Sequence, residues 1–275
     1  MSCENGIPYG TGPSEEAIGA VAAKVDYTPK NIDSPRSADD GRTLEERAEE
    51  VIDFFLSKGF TIEFALGVAG VWGQESQIQP WSYNRDEHET GGYARGKHAP
   101  DCAFFFYPPN SGKKEYRSEE NMKLFGYGKG LAQWSWDRVL AFRDWYNGAL
   151  ATKTPGLSSM DEYGASITAT SMNTQLDFAW KEMEQRRGEF MQTARGIQHV
   201  SHLSNSEKFK ENIKVAVDAV TRGFENGSSK SMATVEQMNN YSGDYWGIDF
   251  KNRYEWALGV YEKIKSLPKY SEYLN

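Results

Sequence analysis

The segment TIEFALGVAGVWGQE, residues 61 to 75, constrains the fold of this chain more than any other. Read as a helix, it carries Ile62, Ala65, Leu66, Val68, Ala69, Val71 and Trp72, which leave hardly a face without an apolar side chain. Such a helix is stable only when other elements enclose it, because apolar area left in water forfeits the main driving force of folding. The next residues reverse its character. Gln74, Glu75 and Ser76 are polar, and Pro80 forbids continuation. A carboxylate thus emerges at the C-terminal end of a core helix.

The enclosing elements are also written as helical stripes. Thr43 and Glu46 make a capping box for a helix whose Leu44, Ala48, Val51, Ile52, Phe55 and Leu56 share one face, with Gly59 as its stop. The glycine-rich turn GYGKGLAQW, residues 126 to 134, leads into a helix bearing Trp136, Val139, Leu140, Phe142 and Trp145. Leu176, Ala179, Trp180 and Met183 share a face. So do Phe209, Ile213, Ala216, Val220 and Phe224, after a capping box at Ser204 and Glu207. Phe250, Tyr254, Ala257, Leu258, Tyr261 and Ile264 form the last stripe. Residues 1 to 41 lack apolar periodicity and read as a tail or linker, leaving 42 to 275 as the folded domain. Between 82 and 125, Gly91, Gly92, Gly96, Pro108 and Pro109 break any long helix, and CAFFFY at 102 to 107 fits one strand of a small ribbon.

Composition excludes some functions. The net charge is -8, from 31 basic and 39 acidic residues, which disfavours general nucleic-acid binding. No apolar run is long enough for a membrane span, and the opening residues show no signal peptide. The two cysteines, Cys3 and Cys102, suit a reducing compartment of synthesis. The chain carries 15 Tyr, 14 Phe and 8 Trp; aromatics beyond the needs of the core would suit the C–H faces of sugar rings.

Glu75 has the setting of a general acid. Apolar surroundings disfavour a charged carboxylate, and the partial negative charge at a helix C-terminus acts in the same direction. A carboxylic acid that keeps its proton near neutral pH can protonate a glycosidic oxygen. A glutamate at a helix end can equally be an ordinary solvated residue.

Two stretches decide between these readings. Glu75, Ser76 and Pro80 form a Glu-Ser-x-x-x-Pro helix end, and Gly128, Gly130, Gln133 and Trp134, followed by Arg138, form a Gly-x-Gly-x-x-Gln-Trp turn some fifty residues on. Together with TQLDFAWKEM at 174 to 183, Phe224–Glu225 and Arg253–Ala257, they resemble the phage tail lysozyme family of the lysozyme superfamily over about residues 43 to 265. The resemblance implies a mainly α, α+β lysozyme-like fold, with two helical lobes around a glycan-binding cleft and a small β-ribbon or loop insertion. It implies cleavage of the β-1,4 bond between N-acetylmuramic acid and N-acetylglucosamine in peptidoglycan, with Glu75 as the acid. Gln133 would line the cleft and bond an N-acetyl group, and Gly128 and Gly130 would let the backbone approach the sugar. Trp134 and Trp81 would be sugar platforms or core, Ser76 would orient Glu75, and Tyr83 and Asn84 are further cleft candidates. The implied setting is a phage tail, with residues 1 to 41 as a tether to other tail proteins; a soluble endolysin would use the same chemistry.

A hydrolase also needs a second carboxylate. Asp86 is the candidate, with Glu87, Glu89 and Asp101 behind it and Thr90 as a possible water ligand. A lytic transglycosylase would need Glu75 alone. A third alternative is a binding module that keeps the fold without turnover. His88, His98, Asp101 and Cys102 match no familiar zinc spacing, so no metal is expected. His199 and His202 read as a solvated pair. No Lys-Ser/Thr phosphate loop is present, and no cofactor is expected.

Overall fold

The computed structural model describes residues 41–82, 105–106, 115–116, 128–134, 137–153, 167, 170–185, 189–225 and 250–275. The described part is mainly helical. Its helices are α1 (Leu44–Ser57), α2 (Ile62–Ser76), α3 (Asp137–Lys153), α4 (Met172–Gln185), α5 (Glu189–Gly196), α6 (Ser206–Ala219), α7 (Phe250–Ile264) and the short α8 (Ser271–Leu274). A π-helical turn, Val220–Glu225, continues α6. Of the insertion, one antiparallel ladder of two residues a strand is described, pairing Phe105 with Tyr116 and Phe106 with Glu115. The rest of the expected ribbon, and all but one residue of the expected tail, lie outside the described residues.

The chain divides into two compact units. One contains Thr43–Gln74 and Lys181–Asn275, the other Glu75–Trp180, so the division falls inside α2 and α4.

In the first unit α2 is the spine. Its residues from Ile62 to Gly73 are all buried, as its apolar faces require. Its glycines are sites of backbone approach. A Cβ on Gly67 would lie 2.4 Å from that of Ala216 in α6, and one on Gly70 would lie 2.5 Å from that of Ala257 in α7. Those distances are too short for any side chain, so only glycine permits the packing. Around the spine Phe55 meets Phe60, Phe64 and Trp72 at centroid distances of 6.1, 5.7 and 5.9 Å. The capping box on α1 is present as expected: Thr43 Oγ1 accepts from Glu46 N–H and the Glu46 carboxylate accepts from Thr43 N–H.

The cap of α6 departs from expectation by one residue. Asn205 is the N-cap, accepting from Lys208 N–H at 3.1 Å, while Ser204 bonds back to Ser201. Asparagine and serine cap equally well, and the geometry of the preceding turn selects between them. The two histidines are not merely solvated either. His199 Nδ1 lies 3.3 Å from the wholly buried Glu63, which also accepts from Val200 N–H at 2.8 Å, and His202 Nδ1 bonds the Leu274 carbonyl.

The second unit has its own aromatic core. Trp134 packs edge-on against Phe142 and Phe178 at 5.1 and 5.6 Å, and Phe178 also meets Trp145 at 5.3 Å.

Candidate active site

The site begins with how α2 stops. After Ser76 the chain takes two consecutive left-handed residues, Gln77 at φ 54° and Ile78 at φ 52°. For L residues this conformation costs about 1–2 kcal/mol each, and a β-branched residue such as Ile78 is an outlier there. The strain is held by specific contacts. Ile78 is fully buried, Gln79 N–H bonds the Ser76 carbonyl at 3.0 Å, and Ser76 Oγ donates to the Leu131 carbonyl at 2.8 Å. Stored backbone strain of this kind gathers at functional sites. Its effect here is to end the helix abruptly at Glu75–Ser76. Glu75 itself is half-buried, neither enclosed in the core nor out in bulk water.

The second piece is the glycine turn. Lys129 and Trp134 close it by exchanging backbone bonds of 3.1 and 2.9 Å, and Gly130 N–H donates to the Ser82 carbonyl at 2.8 Å. Gly130 has φ 72°, where glycine avoids the clash other residues suffer. The space beside each glycine is filled by a glutamine. A Cβ on Gly128 would sit 2.3 Å from Gln133 Oε1, and one on Gly130 would sit 2.4 Å from Gln175 Oε1. In this structure the close approach expected for a saccharide is made by the protein's own amides.

Gln175, at the start of α4, enters the sequence reading only as the glutamine of TQLDFAWKEM, with no site role, and it holds the site together. It is fully buried. Its Oε1 accepts from Leu131 N–H at 2.8 Å, while Nε2 faces the carbonyls of Pro80 at 2.8 Å and Ile167 at 3.0 Å. Leu131 is thus held from both sides: Gln175 takes its N–H and Ser76 takes its carbonyl. Glu75, at the end of α2, and Gln133, in the turn, are in this way brought into one neighbourhood within one unit.

Several expected roles change. For Trp134 the core alternative holds and the sugar platform does not: its ring is fully buried among Phe142 and Phe178. Ser76 braces the turn: its hydroxyl proton goes to the Leu131 carbonyl. Gln133 turns its amide inward: Nε2 donates to the Gly130 carbonyl at 2.8 Å and Oε1 is buried with no donor among the described residues. Its backbone is also left-handed, at φ 46°. Trp81 is half-buried and is available to a ligand in part. Asp86, Tyr83, Asn84, Glu87, Glu89, Thr90, His88, His98, Asp101 and Cys102 lie outside the described residues.

In the other unit, the π turn ends at Glu225, whose Oε1 accepts from Trp72 Nε1 at 3.1 Å. Widened helical turns of this type also concentrate at functional sites. The Phe224–Glu225 pair is therefore built onto α2, one helical turn before Ser76.

Residues 46–264 match the phage tail lysozyme family. The chain belongs to that family. No curated protein and no solved structure matches it. As a phage tail lysozyme it has a peptidoglycan-degrading, lysozyme-type function, and its mainly helical fold agrees with that membership. Among the described residues no helix is long and apolar enough to cross a membrane, and no cluster of three or more His, Cys, Asp or Glu side chains forms a metal site.

Proposed function

We propose that this phage tail lysozyme cleaves the β-1,4 bond between N-acetylmuramic acid and N-acetylglucosamine, with Glu75 as general acid. Glu75 gives its proton to the leaving glycosidic oxygen as the bond to the anomeric carbon breaks, and water completes the reaction at that carbon. The reading is supported above all by the join of Ser76 and Gln175 at Leu131, which holds the end of α2 against the glycine turn. That join fixes Glu75 to a rigid frame, and general-acid chemistry needs such a frame because a misplaced proton donor loses rate steeply. A bound glycan would cover the half-buried carboxyl and keep bulk water from the reacting bond. Trp81, half-buried, would stack on a sugar, and Asp86 would be the second carboxylate. Gln133 would reach an N-acetyl group only after its amide rotates away from Gly128.

Delivery by the phage tail, with residues 1 to 41 as the tether, fits the family and would confine lysis to the point of genome entry. Mass spectrometry of digested sacculi tests the reaction. Reducing muramic ends support hydrolysis and a second carboxylate; anhydro-muramic ends mean that Glu75 works alone as a lytic transglycosylase. No released fragment at all means a binding module.

A further inference from the structure

Outside the frame around Glu75, the first unit holds a pocket of about 340 Å³ lined by Leu44 at the start of α1, Gln74 near the end of α2 and residues along α7. That volume is at the low end for small-molecule sites and has room for one pyranose ring with its substituents. Its wall is the indole of Trp256, which is half-buried and set against α2: a Cβ on Gly73 would lie 2.6 Å from its Cε3. An aromatic wedged in this way is a fixed plane, with little side-chain freedom to lose on binding. Asn252 and Gln74 also line the pocket, together with Val260 and Leu44.

The charges at the pocket are matched in pairs. Lys263 is bonded to Glu45, and Glu255 lies 3.6 Å from Lys251. A flat apolar plane, two uncharged polar residues in the lining and internally neutralised charges fit a neutral sugar carrying hydroxyl and acetamido groups better than an ionic stem peptide.

We propose that the Trp256 pocket is a saccharide subsite that takes an N-acetylhexosamine ring of the glycan, stacked on the indole. This rests on the glycan-cleaving function above but is tested by binding, not by turnover. Gly259 supplies the cleanest variant. It lines the pocket, lies in α7, and a Cβ there meets nothing within 4 Å. Gly259→Leu therefore fills the pocket without burdening the core.

The experiment titrates the full chain carrying Glu75→Gln with the tetramer of N-acetylglucosamine. It is followed by fluorine NMR of 5-fluorotryptophan, with the Trp256 resonance assigned by Trp256→Phe. The expected result is a shift of the Trp256 signal on saturation. Gly259→Leu and Trp256→Ala should each weaken Kd roughly tenfold or more, while Trp256→Phe keeps most of the affinity. A Trp256 signal that does not move, or a Kd unchanged in folded Gly259→Leu, overturns the subsite. So does displacement of the sugar by a free stem peptide. Residual cleavage by Glu75→Gln on sacculi would instead strike at the catalytic assignment and leave the subsite standing.

Discussion

Replacing Gln175 by leucine isolates the frame that holds the site. Leucine fills a similar volume but offers neither donor nor acceptor. The Leu131 N–H at 2.8 Å and the Pro80 carbonyl at 2.8 Å then lose their partner, along with the longer contacts to the Thr170 carbonyl and hydroxyl at 3.4 and 3.2 Å. The Ile167 carbonyl is spared, because it also accepts from Thr170 N–H at 3.0 Å and Thr170 Oγ1 at 2.7 Å. An orphaned buried N–H costs about 1–3 kcal/mol and the carbonyl about 1 more, so the expected destabilisation is about 2–4 kcal/mol. In thermal unfolding that is a fall of roughly 5–10 °C in Tm. Gln175→Glu should be worse than leucine despite being closer in shape. It keeps an acceptor for Leu131 but turns a carboxylate toward the carbonyls of Pro80 and Ile167. Muropeptide release should fall in both variants even well below Tm, because the turn is no longer held against α2. If Gln175→Leu unfolds within 1 °C of the parent, or if glutamate is tolerated better than leucine, the frame has been misread.

Two glycines should respond in opposite directions. Gly130→Ala meets Gln175 Oε1 at 2.4 Å in a left-handed backbone and should cost about 2 kcal/mol or more, whereas Gly148→Ala, exposed in α3 with nothing within 4 Å of the new Cβ, should stabilise by about 0.5–1 kcal/mol; denaturant melts of both check the pair. Alkaline stability gives a third test. Burial pushes the Tyr254 phenol up to about 12, and burial with Asp53 alongside raises Tyr270 further. A phenol that ionises later in the folded chain stabilises fully below pH 10 and loses that contribution as pH climbs, for Tyr254 between about 10 and 12. Denaturant midpoints should fall over that window, and Tyr254→Phe should flatten the fall.

The reach of the sequence can be judged residue by residue. The apolar α2 and the capping box of α1 were legible because local periodicity and a reciprocal side-chain pattern specify them without help from the rest of the chain. The glycine turn was legible as a turn. What its glycines accommodate was not, since Gln175 approaches from 44 residues away in sequence. Nothing in the period of α4 distinguishes a buried glutamine from a solvated one. The left-handed pair Gln77–Ile78 left no trace, because neither residue type favours that conformation and only tertiary contacts impose it. Trp134 and Trp256 carry the same side chain, yet one is enclosed by Phe142 and Phe178 and the other lines a pocket. That choice is made by packing. The short α5 is not legible in the sequence, because eight residues are too few for a stripe to stand out.

The role of Glu75 is tested most directly by Glu75→Gln on purified sacculi, with muropeptide release followed by mass spectrometry and the fold checked by the melting transition. The exchange keeps shape and hydrogen-bonding capacity but removes the transferable proton. The account predicts an unchanged melt and a loss of release of at least a hundredfold, the lower range of what a positioned acid contributes. Release at near the parental rate by a folded Glu75→Gln protein would contradict it.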